Sequence, residues 1–318
     1  MDANFKYRLI ERVARVKVYG LHNFMASNKY AGIQKFVRNI LIKYESLKFH
    51  LFKSVSIPQV EIVITTRCSL RCKECANFIP LIKNKVDFSY EQLTSDLNSL
   101  LKKVTSIQSV LLLGGEPLLH KNLAKIFQYC CEQRKIKQVY IVSNGTIVPS
   151  SELVDVMRKF RNKSYFWLSN YSSNASLSNR LHNEKIINLL KENKIKAIYH
   201  DDLKWIPTSK FVPHNRSSQE LINYYKGCRT TCVSMIEGKI FPCPRASAFY
   251  FSNPHKLPSK ESNEYVDVRE DFSVDDVINF YSKQTYKICD YCSLLEDFKS
   301  GRVIPAIQLN KEEKTDSI

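Results

Sequence analysis

Val60-Glu61-Ile62-Val63-Ile64-Thr65 runs directly into Thr66-Arg67-Cys68-Ser69-Leu70-Arg71-Cys72-Lys73-Glu74-Cys75. The first stretch is short, apolar and rich in β-branched residues, which is the pattern of a buried strand. The second places three cysteines at x3 and x2 spacing on one loop at that strand's C-terminal end. Crowded thiolates select soft metals: zinc, copper(I) or iron–sulfur clusters. A closed structural zinc site takes four ligands, whereas three leave one position open to a substrate or cofactor.

Downstream, strand and helix patterns alternate. Strands are predicted over 60–65, 109–113, 139–142, 165–168 and 195–199. Helices are predicted over 89–101, with Ser89 as N-cap, and over 122–132, 151–160 and 181–192. Such alternation implies parallel strands joined by helical crossovers, with the functional site at the strands' C-terminal ends. Two further motifs sit at such ends, Leu112-Leu113-Gly114-Gly115-Glu116-Pro117 and Val142-Ser143-Asn144-Gly145-Thr146. Gly-Gly-Glu-Pro alone would pass for an ordinary turn. His120 reads as capping the next helix, and Cys130 and Cys131 within 122–132 read as core.

Taken in order, the cysteine loop and these two motifs resemble the radical S-adenosylmethionine (SAM) superfamily. The resemblance implies an α/β fold, a partial (β/α)6 barrel over residues 58–205. It implies that Cys68, Cys72 and Cys75 hold three irons of a [4Fe–4S] cluster, the fourth chelating SAM. It also implies SAM contacts at Gly114, Gly115, Glu116, Ser143 and Asn144, with Ser169 and Asn170 at the ribose. The residue before the third cysteine, aromatic or apolar in that family, is Glu74 here.

After Trp205 the alternation stops, and Pro207, Pro213 and Ser217-Ser218 mark a linker. Cys228, Cys232, Cys243, Cys289 and Cys292 follow, with a hairpin turn at Glu237-Gly238. Paired cysteines beside a hairpin are also how zinc ribbons are built. The spacing resembles the SPASM/twitch extensions of the same superfamily. That resemblance implies a small α+β unit over 206–300 holding an auxiliary [4Fe–4S] cluster on Cys228, Cys243, Cys289 and Cys292. Cys232 is then the extra thiol and a candidate hydrogen-atom donor; the alternative makes Cys232 the ligand and Cys228 the free thiol.

Residues 1–57 form a basic leader with an amphipathic helical pattern at Ile33, Phe36, Val37, Ile40, Leu41 and Tyr44. The expected arrangement packs this helix on the catalytic core with its lysines solvated. The alternative lays it on a membrane surface. Residues 301–318 read as a polar tail. In the 318-residue chain a net charge of +17 favours anionic partners. Ten cysteines without a secretion signal suit a reducing cytoplasm. The expected localisation is cytoplasmic, with peripheral contact at the membrane's inner face as an extension.

On the resemblance, the enzyme cleaves SAM reductively and abstracts a hydrogen atom, with flavodoxin or ferredoxin as electron donor. The branch resembled is associated with bacterial polysaccharide biosynthesis. It implies oxidation or epimerisation of a sugar nucleotide or glycan. A peptide-modifying enzyme of the same superfamily is the alternative. A zinc protein binding nucleic acid is the alternative of another class. It accounts for the charge but leaves the cysteine triplet and Gly-Gly-Glu-Pro unexplained, and the basic residues form no stripe.

Overall fold

The strand that leads into the cysteine loop, β1 (Ser56–Thr65), is buried along almost its whole length. In this computed structural model, which describes residues 6–21, 31–199, 204–207, 211–228, 230 and 232–310, β1 lies in the interior of one eight-stranded sheet. The others are β2 (Ser106–Gly114), β3 (Ile136–Ser143), β4 (Ser164–Leu168), β5 (Lys196–Ile198), β6 (Val233–Ile236), β7 (Lys239–Phe241) and β8 (Val266–Asp267). Their order is β5-β4-β3-β2-β1-β6-β7-β8. Strands β1 to β5 are mutually parallel, β6 is parallel to β1, and β7 and β8 run antiparallel.

The crossovers are the predicted helices. Ser89 accepts from Gln92 N and starts α3 (Tyr90–Lys103), which buries Leu93, Leu97, Leu100 and Leu101 at helical spacing. Then come α4 (Leu123–Glu132), α5 (Ser151–Lys159) and α6 (Asn183–Glu192). Cys130 and Cys131 are buried in α4, and His120 accepts from Asn122 N just before it. The result is an α/β fold with a parallel core.

Among the described residues six strands, β1 to β6, are parallel; five run in sequence order, and the sixth, β6, crosses to the far side of β1. β5 is three residues long and only half-buried, so it offers little platform for another strand. β1 is buried on both faces and keeps a free edge that pairs with Val233–Met235 through Val60, Glu61 and Ile62. Pro58, which has no N–H to give, falls where β6 does not reach. The sheet therefore does not break at residue 205. The hairpin β6–β7 turns at Glu237 and Gly238, both at positive φ, as a two-residue primed turn requires.

The C-terminal half adds α7 (Ser218–Gly227), α8 (Pro244–Ser252), α9 (Val274–Ser282) and α10 (Leu294–Ser300). At the N-terminus a π-helical turn, Lys6–Ile10, continues into α1 (Glu11–Leu21), which buries Leu9, Ile10, Val13 and Ala14. Helix α2 (Ala31–Phe52) lies on α1. The expectation that its apolar stripe packs inward is overturned: Ile33, Phe36, Ile40 and Tyr44 are exposed. The expected polar tail is corrected too, because Val303 pairs with Trp205 and Gln308 with Cys72; residues 311–318 lie outside the described ones.

A partly buried ion pair joins the two halves. Arg269, just past β8, donates to both carboxylate oxygens of Asp96 in α3, at 2.8 and 2.9 Å. Asp96 is buried, while Arg269 is partly exposed. Asp96→Ala leaves the guanidinium unpaired and is expected to lower stability by about 2 kcal/mol, read as a lower urea midpoint with unchanged slope.

Candidate active site

The loop after β1 is held against the end of β2 by backbone contact. Gly115 N donates to Thr65 O at 2.9 Å and Glu116 N to Arg67 O at 2.8 Å. A Cβ on Gly114 would lie 2.0 Å from Thr65 O, and one on Gly115 1.9 Å from Arg67 O. Both glycines are there because the loop leaves no space for a side chain. Arg67 then pairs with Asp87 at 2.6 Å and donates to Leu119 O, fixing the loop's entry.

The three cysteines of this loop sense one another. Burial pushes the Cys68 thiol up to about 11 and Cys72 up to about 12, with the charge of Cys75 adding to each. Burial also raises Cys75. Such a trio ionises at neutral pH only beside strong positive charge, as a metal group supplies. Lys85 and Arg180 contribute some of it: Lys85 acts on Cys75 and Arg180 on Cys72. Arg180 also donates to Ser69 O. Among the described residues no three His, Cys, Asp or Glu side chains converge closely enough to hold a single ion. A [4Fe–4S] cluster is instead held by thiolates distributed around several irons.

Glu116 is fully buried. One carboxylate oxygen accepts from Leu118 N at 3.1 Å and the other from Asn144 N at 2.8 Å. Burial lifts it to about 7. A buried carboxylate so perturbed fits a cationic ligand such as the SAM ammonium. Asn144 turns toward the loop: its Nδ2 donates to Ser69 Oγ at 3.0 Å and to Cys68 Sγ at 3.6 Å. Ser143 Oγ accepts from Gly145 N. Ser169 and Asn170 follow β4, where Asn170 Oδ1 accepts from Asn183 Nδ2 at 2.7 Å. In this arrangement Asn144 and Asn170 brace the protein's own loops.

The second cysteine set surrounds a cavity of about 330 Å³ lined by Cys228, Cys232, Cys243, Cys289 and Cys292. Burial pushes Cys243 up to about 12, with the charges of Cys292 and Cys228 adding to it. The charge of Cys243 in turn acts on Cys289 and on Cys232. Cys232 also donates to Glu61 Oε1 on β1, at 3.1 Å. Glu61 is buried, its other oxygen has no hydrogen-bond partner, and burial raises it to about 7. Ala76, next to Cys75, also lines the cavity, as does the buried Arg245 beside Phe78 and Phe211.

Residues 62–169 match the Radical SAM superfamily. These residues form a radical SAM domain. Such a domain implies a [4Fe–4S] cluster and SAM, and its matched stretch contains the loop, Gly-Gly-Glu-Pro and the Ser143-Asn144 motif. The chain is also similar to GTP 3′,8-cyclases, 32% identical over 96 residues to that of Clostridium acetobutylicum and 30% over 97 residues to that of Syntrophomonas wolfei. It spans 29% and 28% of those two relatives. Among solved structures it is similar to BtrN in complex with AdoMet and 2-DOIA: 16% identity, TM-score 0.46, 80% of this chain and 97% of that one. SuiB of Streptococcus suis bound to the precursor peptide SuiA shows 14% identity, TM-score 0.42, 89% of this chain and 80% of that one.

Several residues around the radical SAM domain escaped the sequence reading. Gln308 donates to Cys72 Sγ at 3.5 Å and accepts from Arg71 N at 2.8 Å, while Lys73 N donates to Ile307 O. Arg216 donates to the carbonyls of Cys289, Asp290 and Cys292, with its guanidinium 3.9 Å from the Tyr224 ring centre. No motif marks either residue, because each is far in sequence from what it holds.

Two outcomes follow from this geometry. Gly115→Ala must displace the loop at Arg67, and is expected to lower iron retained after anaerobic reconstitution several-fold while the far-ultraviolet circular dichroism stays unchanged. Glu61 carries the pH dependence. Its folded pKa, about 7, lies above the ordinary value of 4.5. The folded chain thus holds this proton to higher pH than the unfolded chain, and stability falls as pH rises from 4.5 to 7. Glu61→Gln keeps an acceptor for Cys232 and removes the charge. Denaturant titrations are expected to show it more stable at pH 8, by up to about 3 kcal/mol, and no different at pH 4.5.

Proposed function

We propose that this protein is a radical SAM enzyme with two [4Fe–4S] clusters, one on Cys68, Cys72 and Cys75 and an auxiliary one on Cys228, Cys243, Cys289 and Cys292. Its substrate is an anionic sugar nucleotide or glycan, oxidised or epimerised at one carbon. One observation carries the reading: a single cavity is lined both by Ala76 of the first loop and by the second cysteine set. Cys68, Cys72 and Cys75 would hold the first cluster, which would supply the one-electron reduction of SAM that opens the way to hydrogen-atom abstraction from the substrate.

The chain's own residues do the rest by positioning. Glu116 receives the ammonium of SAM at the ends of β2 and β3. Arg245, lining the cavity, meets the substrate's negative charge. Arg216 holds the Cys289–Cys292 turn, so the auxiliary ligands keep their spacing. Cys232, on its own side of the cavity, gives a hydrogen atom to the substrate carbon in the epimerising version. The sulfur radical left behind then takes an electron from the external donor and a proton from Glu61, which restores the thiol. The match to GTP 3′,8-cyclases covers less than a third of the chain and so leaves this cavity's substrate open to a different class.

Iron and acid-labile sulfide in anaerobically reconstituted protein test the reading. About eight irons are expected in the unaltered chain. About four should remain when Cys68, Cys72 and Cys75 are changed together to alanine, with loss of SAM cleavage. About four should also remain in the variant lacking the other four ligands. Zinc in place of iron sinks the proposal.

A further inference from the structure

Helix α2 presents its apolar side to the outside. Ile33, Phe36, Ile40, Tyr44, Leu47 and Leu51 are each between 50% and 67% exposed. At about 100° per residue they fall within an arc of about 80°. On the opposite face Ile42 and Phe49 pack against the core, and Glu45 is buried in ion pairs with Lys17 and Lys48. The stripe thus points directly away from the body of the protein. An unbroken row of six large apolar side chains is far more than the scattered exposure normal on a soluble surface.

Charge identifies what covers it. Glu45 is the helix's one acidic residue, and it is buried and paired. Lys43 borders the stripe on one side, and Lys48, shared with Glu45 and lying over the Tyr44 ring, borders it on the other; Lys35 is exposed nearer the N-terminus. Two copies of this face placed together would bring their lysines into opposition with no exposed acid on the helix to offset them. An anionic lipid surface meets both features at once. The apolar row enters the boundary between headgroups and acyl chains, and the flanking lysines reach back to the headgroups. No described helix is long and apolar enough to cross a membrane, so the contact is in the plane of the interface.

We infer that α2 docks the protein on anionic bilayers, lying along the interface with the Ile33–Leu51 stripe inserted. This holds whatever the enzyme's substrate. The test is co-sedimentation of the full chain with vesicles of phosphatidylcholine alone and of phosphatidylcholine mixed with phosphatidylglycerol. Expected is binding to the mixed vesicles at least about tenfold tighter than to the neutral ones. The double variant Ile40→Glu/Leu47→Glu should lose about tenfold or more of that binding. Both side chains lie on the outer face, so its melting temperature and iron content should match the parent. Absence of vesicle binding, or equal binding to both compositions, overturns the inference. So does a concentration-dependent dimer in sedimentation velocity that the double variant abolishes, which would assign the stripe to a second copy of the chain.

Discussion

The close approach of two backbones, at Gly114-Gly115 against Thr65 and Arg67, governs the geometry of the site. It extends the β1–β2 pairing past the ends of both strands, so the cysteine loop inherits the rigidity of the sheet rather than the mobility of a surface turn. The next residue, Glu116, then reaches across to Asn144 N beyond β3, and Asn144 returns to Cys68. Three strand ends and one loop are thus linked in a closed circuit of hydrogen bonds. A side chain at either glycine would open it at the first step.

The placement of β6 beside β1 is the second organising fact. It sets the β6–β7 hairpin, flanked by Cys232 and Cys243, beside the strand that carries the first loop. It also buries Glu61 between two elements that would otherwise be separate. Buried carboxylates at about 7, here Glu61 and Glu116, mark the two places where the fold accepts an electrostatic cost. One lies at the first cysteine loop and the other at the second set.

Much of this was legible in the sequence because it is local. Three motifs each following an apolar run predict parallel strands with a site at their C-terminal ends, and β1 to β4 lie where the pattern puts them. The spacing of the C-terminal cysteines places them in one group, and all five line one cavity, Cys232 with its thiol on Glu61. What stayed hidden depends on contacts between distant segments. Periodicity identifies that α2 has an apolar side but not which way that side faces, and here it faces outward. The β5 segment has a strand's composition, yet it is too short and too exposed to seat a neighbour. Residues 301–310 look like polar tail because the groups that hold them belong to loops far upstream: Arg71 and Lys73, and Asn174, whose amide donates to Pro305 O and Ala306 O.

That last contact has a consequence for how the protein is made. Gln308 reaches Cys72 across 236 residues of chain, and β6 pairs with β1 only after the core strands have been synthesised. At ribosomal speeds the cysteine loop therefore waits on the order of tens of seconds for the segments that cover it. During that interval β1 has an open edge and the thiols are accessible to oxidation or to a stray metal. Closure by the C-terminal segment thus comes last, with residues near 308 covering a loop that the first strand began.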